Sequence, residues 1–222
     1  MVVKKGDKSA GVKNAAKGGG RQRASRMSPE QRRLQLLECA LSAFAERGLG
    51  EASHSDLAER ANVSVPTTFH YFPTRESLTG SVIEEVARFL IEDFVEVRIV
   101  RPDGPTAKSV GEMLLAFSEA IDLHPDYIRI WLQWSASVQS PVWTEYVAFE
   151  KKALRALKVL LLRGQRDGSL HPELDCDVAC RVILSCAHMV AHMKFGKSTR
   201  EDIERAVDSV VYGYLGGYRH SI

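Results

Sequence analysis

Apolar residues recur along this chain at helical spacing, and no segment alternates apolar and polar positions for long enough to make a strand. Leu37, Ala40, Leu41 and Phe44 fall at i, i+3, i+4 and i+7 and define one face of a first helix. Its start is written in Ser28-Pro29-Glu30-Gln31: a capping serine, proline at the first helical position and a glutamine that can reach back to the cap. Gly48 and Gly50 end it near Arg47, so the pattern predicts a helix at about 29–47. A short second helix is predicted from Ser53 to Ala61, with Leu57 and Ala58 inward, and Asn62 suits a turn position of positive φ. Ser64 then caps a third helix at about 65–71. Pro66 sits in its first turn, where a missing N–H costs little, and Pro73 stops it. Thr74 caps a long fourth helix, roughly 75–98, with Glu76 in its first turn. At 1.5 Å per residue it spans about 36 Å, enough to pass from one domain into another.

Arg101-Pro102-Asp103-Gly104-Pro105 reads as a loop. Five more helices are predicted after it, at about 106–123, 125–138, 141–166, 174–195 and 199–217. Their punctuation is Pro125, Pro141, Gly164 with Gly168, Pro172 and Gly196. On the last of them Ile203, Ala206, Val207, Val210, Val211 and Tyr214 share one face. The fold class is all-α, with about nine helices and no internal repeat.

Composition bounds the rest. The 222 residues are 45% hydrophobic and 26% charged, which excludes a fully disordered, collagen-like or disulfide-framework chain. The formal charge of +2 is a cancellation. Residues 1–27 hold eight basic residues and one acid, a net of +7, whereas the remainder carries −5. A basic arm of this kind seeks nucleic acid or an acidic surface. It is low in complexity, with almost nothing to bury. Gly18-Gly19-Gly20 follows no strand and is not a phosphate loop. Cys39, Cys176, Cys180 and Cys186 form no CxxC pair and read as reduced thiols of a cytoplasmic protein with no signal segment. The most apolar long stretch, Val178–Phe195, is broken by Arg181, His188, His192 and Lys194, so no membrane span is expected.

The informative stretch is 53–78. Two short helices joined through Asn62-Val63-Ser64 make a helix-turn-helix, with Leu57, Ala58, Val63 and Thr68 as its internal contacts. The second helix of such a pair enters the DNA major groove. The segment from Asp56 to Leu78, DLAERANVSVPTTFHYFPTRESL, closely resembles the DNA-binding signature of the TetR family of transcriptional regulators. Within that family the chain is most similar to the LuxR/HapR/SmcR group of quorum-sensing master regulators. Arg26-Met27-Ser28-Pro29, Phe72-Pro73-Thr74-Arg75-Glu76 and, downstream, Trp131-Leu132-Gln133-Trp134-Ser135-Ala136-Ser137 with Val142-Trp143 carry that similarity. The chain departs from the group at His70, where asparagine is usual, at Pro66, where a small alanine is usual, and in its longer tail.

The resemblance implies a homodimer whose recognition helices read the half-sites of a pseudo-palindromic operator. By position, Val65, Pro66, Phe69 and His70 face base edges, the first three suited to thymine methyl groups. Phe69 is equally open to a place in the core. Thr67, Tyr71, Arg75, Ser53 and Ser64 fall to phosphates. Residues 28–78 carry five bases and seven acids, so affinity is expected from Arg21, Arg23 and Arg26 of the arm, in the minor groove or on phosphates. Three parts are expected: the arm at 1–27, a helix-turn-helix domain at 28–78 and a regulatory and dimerisation domain at 79–222.

That last domain is implied to enclose an apolar ligand cavity, with Phe89, Phe117, Trp131, Trp134, Cys180 and Met189 as its expected lining. A plain packed core explains the same residue types. Val207, Val210, Val211 and Tyr214 are the expected dimer contacts. His188 and His192 stand at i, i+4, but no fourth ligand accompanies Cys180, so no metal and no cofactor is expected. An all-α enzyme is the rival reading, against which no nucleophile–base set, HExxH or nucleotide loop is found. A protein-interaction module and a ligand-responsive repressor of a neighbouring efflux or metabolic operon are the others.

Overall fold

A computed structural model describes residues 27–99 and 104–216. The expected roles of Arg21, Arg23 and Arg26 lie outside those residues. Nine helices are found among the described residues, and no strand. Helix α1 (Pro29–Arg47) opens with the reciprocal cap its sequence announces: Gln31 N–H donates to Ser28 Oγ at 3.2 Å, and Ser28 N–H to Gln31 Oε1 at 2.9 Å. Gly48 closes it at φ 93°, a left-handed value that favours glycine. Helix α2 (His54–Ala61) starts from Ser53, whose backbone N–H donates to Asp56 Oδ2 at 2.9 Å. Asn62 takes φ 50° and ψ 50° and swings the chain into α3 (Val65–Tyr71). Ser64 stands before α3 without capping it, because its Oγ pairs with Thr67 Oγ1 at 2.8 Å instead of a backbone N–H.

Helix α4 (Arg75–Arg88) runs on without a break through a π-helical stretch (Phe89–Glu96) into a last α turn (Val97–Ile99). Helices α5 (Thr106–Leu123), α6 (Pro125–Ala136), α7 (Trp143–Arg166), α8 (Cys176–Phe195) and α9 (Arg200–Val211) follow, the last continuing as a π turn (Tyr212–Gly216). In the body four helix boundaries fall inside the expected ones, each for a local reason. Residues 137–142 fold as a turn closed by Trp143 N–H on Ser140 O at 3.0 Å, which shortens α6 and delays α7. Asp175 Oδ1 accepts from Asp177 and Val178 N–H groups and so caps α8. Thr199 caps α9 from outside.

The three N-terminal helices form a small head. Leu36, Leu37, Ala40, Leu41 and Phe44 of α1 meet Leu57 and Ala61 of α2 and Leu78 and Val82 of α4, with Phe72 buried between them. The head joins the body through α1 against α6 and through α4 itself. In the body α8 packs on α5 and α7, and α9 lies across α5 and α8. Among the described residues, α8 is the one helix long and apolar enough to cross a membrane by length and composition. It buries Ala179, Cys180, Ile183, Cys186, Val190 and Ala191 against those neighbours as a core helix.

Candidate nucleic-acid interface and regulatory cavity

Helix α3 presents a surface that a mere packing helix lacks. Of its seven residues Thr68 alone is buried, and its hydroxyl turns back onto Val65 O at 2.8 Å. Val65, Pro66, Phe69 and His70 are exposed on the opposite side, Thr67 half-exposed among them. Phe69 is 46% exposed, so it is not the core residue its apolarity allowed. Its ring lies flat on that of His54, with centroids 3.9 Å apart and planes 5° from parallel. Tyr71 is half-buried and meets the His70 ring edge-on at 5.1 Å. Four large or apolar groups left in water on one short helix are an unsatisfied surface.

Two expected phosphate residues are engaged elsewhere. Ser53 Oγ donates to Asp56 Oδ2 at 2.6 Å, and the carboxylate beside it repels an anion. That hydroxyl holds the Asp56 carboxyl below its ordinary range, helped by the Ser53 N–H and by Arg47, whose Nε lies 2.8 Å from Oδ1. Arg75 turns its guanidinium onto the loop that follows α1, donating to the carbonyls of Ala52, Leu49 and Gly50. It ties the α1–α2 loop to the start of α4, a positioning task rather than an outward one. His54 was missed by sequence reasoning: a histidine one residue after a cap carries no periodic signal.

The expected cavity residues divide among five places. Phe117 and Trp131 line a narrow apolar cavity of about 60 Å³ with Leu90, Phe94, Phe149 and Ile183. Trp134 faces away from it. Its Nε1 donates to Val142 O at 2.9 Å, and it forms the floor of an open cleft of about 890 Å³ between α4 and α7, with Ile83 and Phe149 beside it. The two tryptophans share a helix face by spacing, yet one meets Phe117 and His188 and the other Tyr146 and Phe149. Phe89 packs outside the cavity on His124 and Tyr127. Cys180 is buried at the α7–α8 side, where desolvation pushes its thiol up to about 12. Met189 lines a shallow groove on the outer side of α8 with Val178, Val182 and Val210.

The dimer assignment needs correction in half its members. Val207 is 0% and Val211 2% exposed within one chain, because they turn into the chain's own core against α5 and α8. Val210 is half-buried at the edge of that outer groove, where Val178 is exposed, and further along the chain Tyr214 is half-buried and Tyr212 exposed. His188 is held by Leu184 O at 3.1 Å and its ring meets Trp131 at a tilt, centroids 4.0 Å apart, and burial pushes its pKa down. No group of three potential metal ligands occurs among the described residues. The four cysteines are free.

Residues 36–82, from the middle of α1 to α4, match the family model described as "Bacterial regulatory proteins, tetR family". The LuxR transcriptional regulator of Vibrio harveyi is 28% identical over 194 residues, covering 86% of this chain and 90% of that protein. The fold is that of FadR from Bacillus subtilis, solved with stearoyl-CoA (TM-score 0.68, 19% identity, 81% of this chain and 98% of that one). It is also that of CifR, solved with a double-strand operator (TM-score 0.65, 18% identity, 81% and 95% covered). A helix-turn-helix head with an exposed third helix, on a helical body of this arrangement, places the chain in the TetR family of DNA-binding transcriptional regulators.

Proposed function

We propose that the protein acts as a homodimer on a pseudo-palindromic operator, in the manner of the LuxR-like group, and that a small apolar ligand modulates it. The observation that carries the reading is the exposed face of α3: Val65, Pro66, Phe69 and His70 stand out together on one short helix. Apolar side chains in a major groove recognise thymine methyl groups, and His70 adds a hydrogen-bonding edge. Thr67, Ser64 and Tyr71 border that face and fall to phosphates. Ser53 and Arg75, already engaged, are left out of the contact set.

The head carries more acids than bases, so phosphate attraction comes from elsewhere. Arg21, Arg23 and Arg26 supply it, entering the adjacent minor groove or gripping phosphates. Deleting residues 1–20 and then 1–26 tests this. The slope of affinity against salt is expected to flatten stepwise, and an unchanged slope contradicts it.

The second chain packs on the outer groove of α8 and α9, where Val178, Met189 and Val210 are left partly open, and meets the half-buried Tyr214 one turn beyond Val210. The narrow apolar cavity is about 60 Å³, below the 300–1,000 Å³ of ordinary ligand pockets, so an occupant fits only as the walls part. One wall is the π-helical stretch of α4, which supplies Leu90, Ile91, Phe94 and Val95. The buried Trp131 Nε1 has no hydrogen-bond partner among the described residues. Movement of that stretch is movement of α4, and so of the spacing between recognition helices. The work is that of a bacterial cytoplasmic protein at the nucleoid.

A further inference from the structure

His54 is a buried polar side chain that neither caps a helix nor reaches the DNA-facing surface. Its Nε2 stands 2.7 Å from the carbonyl oxygen of Phe72, an acceptor only, so this nitrogen carries the proton and donates. The same ring stacks on Phe69, centroids 3.9 Å apart. From the first turn of α2, one histidine therefore holds α3 at two points: the carbonyl just past its end and the aromatic ring in its middle. Phe69 remains nearly half exposed, with one ring face on the imidazole and the rest projecting into solvent. An exposed side chain is otherwise free among several staggered rotamers. A stacked aromatic pair contributes beyond its buried area and selects one orientation.

We propose that His54 is a positioning residue for base recognition: it fixes the direction in which Phe69 meets the major groove and thereby sets the preference for a thymine methyl at that step, without itself touching DNA. This rests on the reading of α3 as the base-reading helix. Direction matters because a contact between a methyl group and a ring edge is short-ranged, and a gap of half an ångström already forfeits a good part of it.

A cycle of His54→Gln and Phe69→Leu tests it, read on DNA selected from a random pool and on unselected DNA. Gln keeps a donor for the Phe72 carbonyl but has no ring. In the wild-type background His54→Gln is expected to weaken the thymine preference at that step about tenfold, one good base contact's worth of discrimination. Affinity for unselected DNA and the thermal midpoint are expected to hold. In the Phe69→Leu background the same change is expected to add nothing. His54→Phe, which keeps the ring, is expected to retain the preference. Equal losses in both backgrounds, a parallel loss on selected and unselected DNA, or a folded His54→Phe without the preference overturns the proposal. An effective Phe69→Leu beside a silent His54→Gln overturns this inference alone. A silent Phe69→Leu removes Phe69 from base contact, and the inference falls with it.

Discussion

Gly164 stands where α7 comes closest to the start of α5. A Cβ added there would lie 2.5 Å from Thr106 Oγ1, 2.7 Å from Thr106 Cβ and 2.8 Å from Leu170 Cδ1. Thr106 is itself buried and its Oγ1 accepts from Ser169 Oγ at 3.1 Å, so it has little room to yield. Gly164→Ala is therefore expected to destabilise by about 1–3 kcal/mol, overpacking outweighing the helix propensity that alanine gains. A lowered thermal midpoint confirms this, and a raised one contradicts it. In the sequence this glycine looks like the end of a helix. Its neighbours in space are 58 residues before it and just after it, and no local pattern announces the first. The same limit applies to Trp131 and Trp134, whose i, i+3 spacing gives a shared face but not the partners that pull the rings apart. It applies to His54 as well, whose two contacts lie 15 and 18 residues ahead.

At the scale of elements the sequence is far more legible, because helix ends are fixed by local hydrogen bonds. The starts of α1, α2 and α4 lie where Ser28, Ser53 and Thr74 put them, with each serine or threonine oxygen accepting from the third backbone N–H. The α2 cap makes a testable statement about pH. Asp56 has its pKa lowered on folding, chiefly by the Ser53 hydroxyl. Its contribution is thus present above the unfolded carboxylate value near 3.9 and lost as pH falls through the lower folded value. Asp56→Asn is expected to cost about 1 kcal/mol at pH 7, the usual worth of a cap, and progressively less as acid protonates the wild-type carboxyl. A penalty as large at pH 2.5 as at pH 7, in urea titrations, contradicts this. The π-helical stretch of α4 was not legible. FLIEDFVE satisfies helical patterning, and nothing in that local pattern marks the wider turn in which Leu90, Ile91 and Phe94 are buried.

For the whole molecule, the near-neutral charge conceals a division of labour between an acidic helical body and a basic arm. Amphipathic period shows that α9 has a buried side. It does not show whether that side meets its own chain or another, and Val207 and Val211 proved to be the chain's own core. The distinction has an experimental signature. Val207→Asp places a charge in a closed core and is expected to unfold the body, at a cost of several kcal/mol. Val210→Asp, at the edge of the outer groove, is expected to leave the helical content unchanged and give a monomer by sedimentation. A folded dimer of Val210→Asp contradicts the proposed interface.

The central claim is that the exposed face of α3, displayed twice by a dimer, reads a specific operator. Selection from random duplex DNA with the purified full-length protein, repeated with Phe69→Leu, tests it most directly. The account predicts enrichment of two inverted related half-sites whose binding weakens steeply with salt, and a loss of preference at one symmetric pair of positions in the variant. Enrichment of no sequence, or of the same sequence at the same strength by the variant, contradicts it.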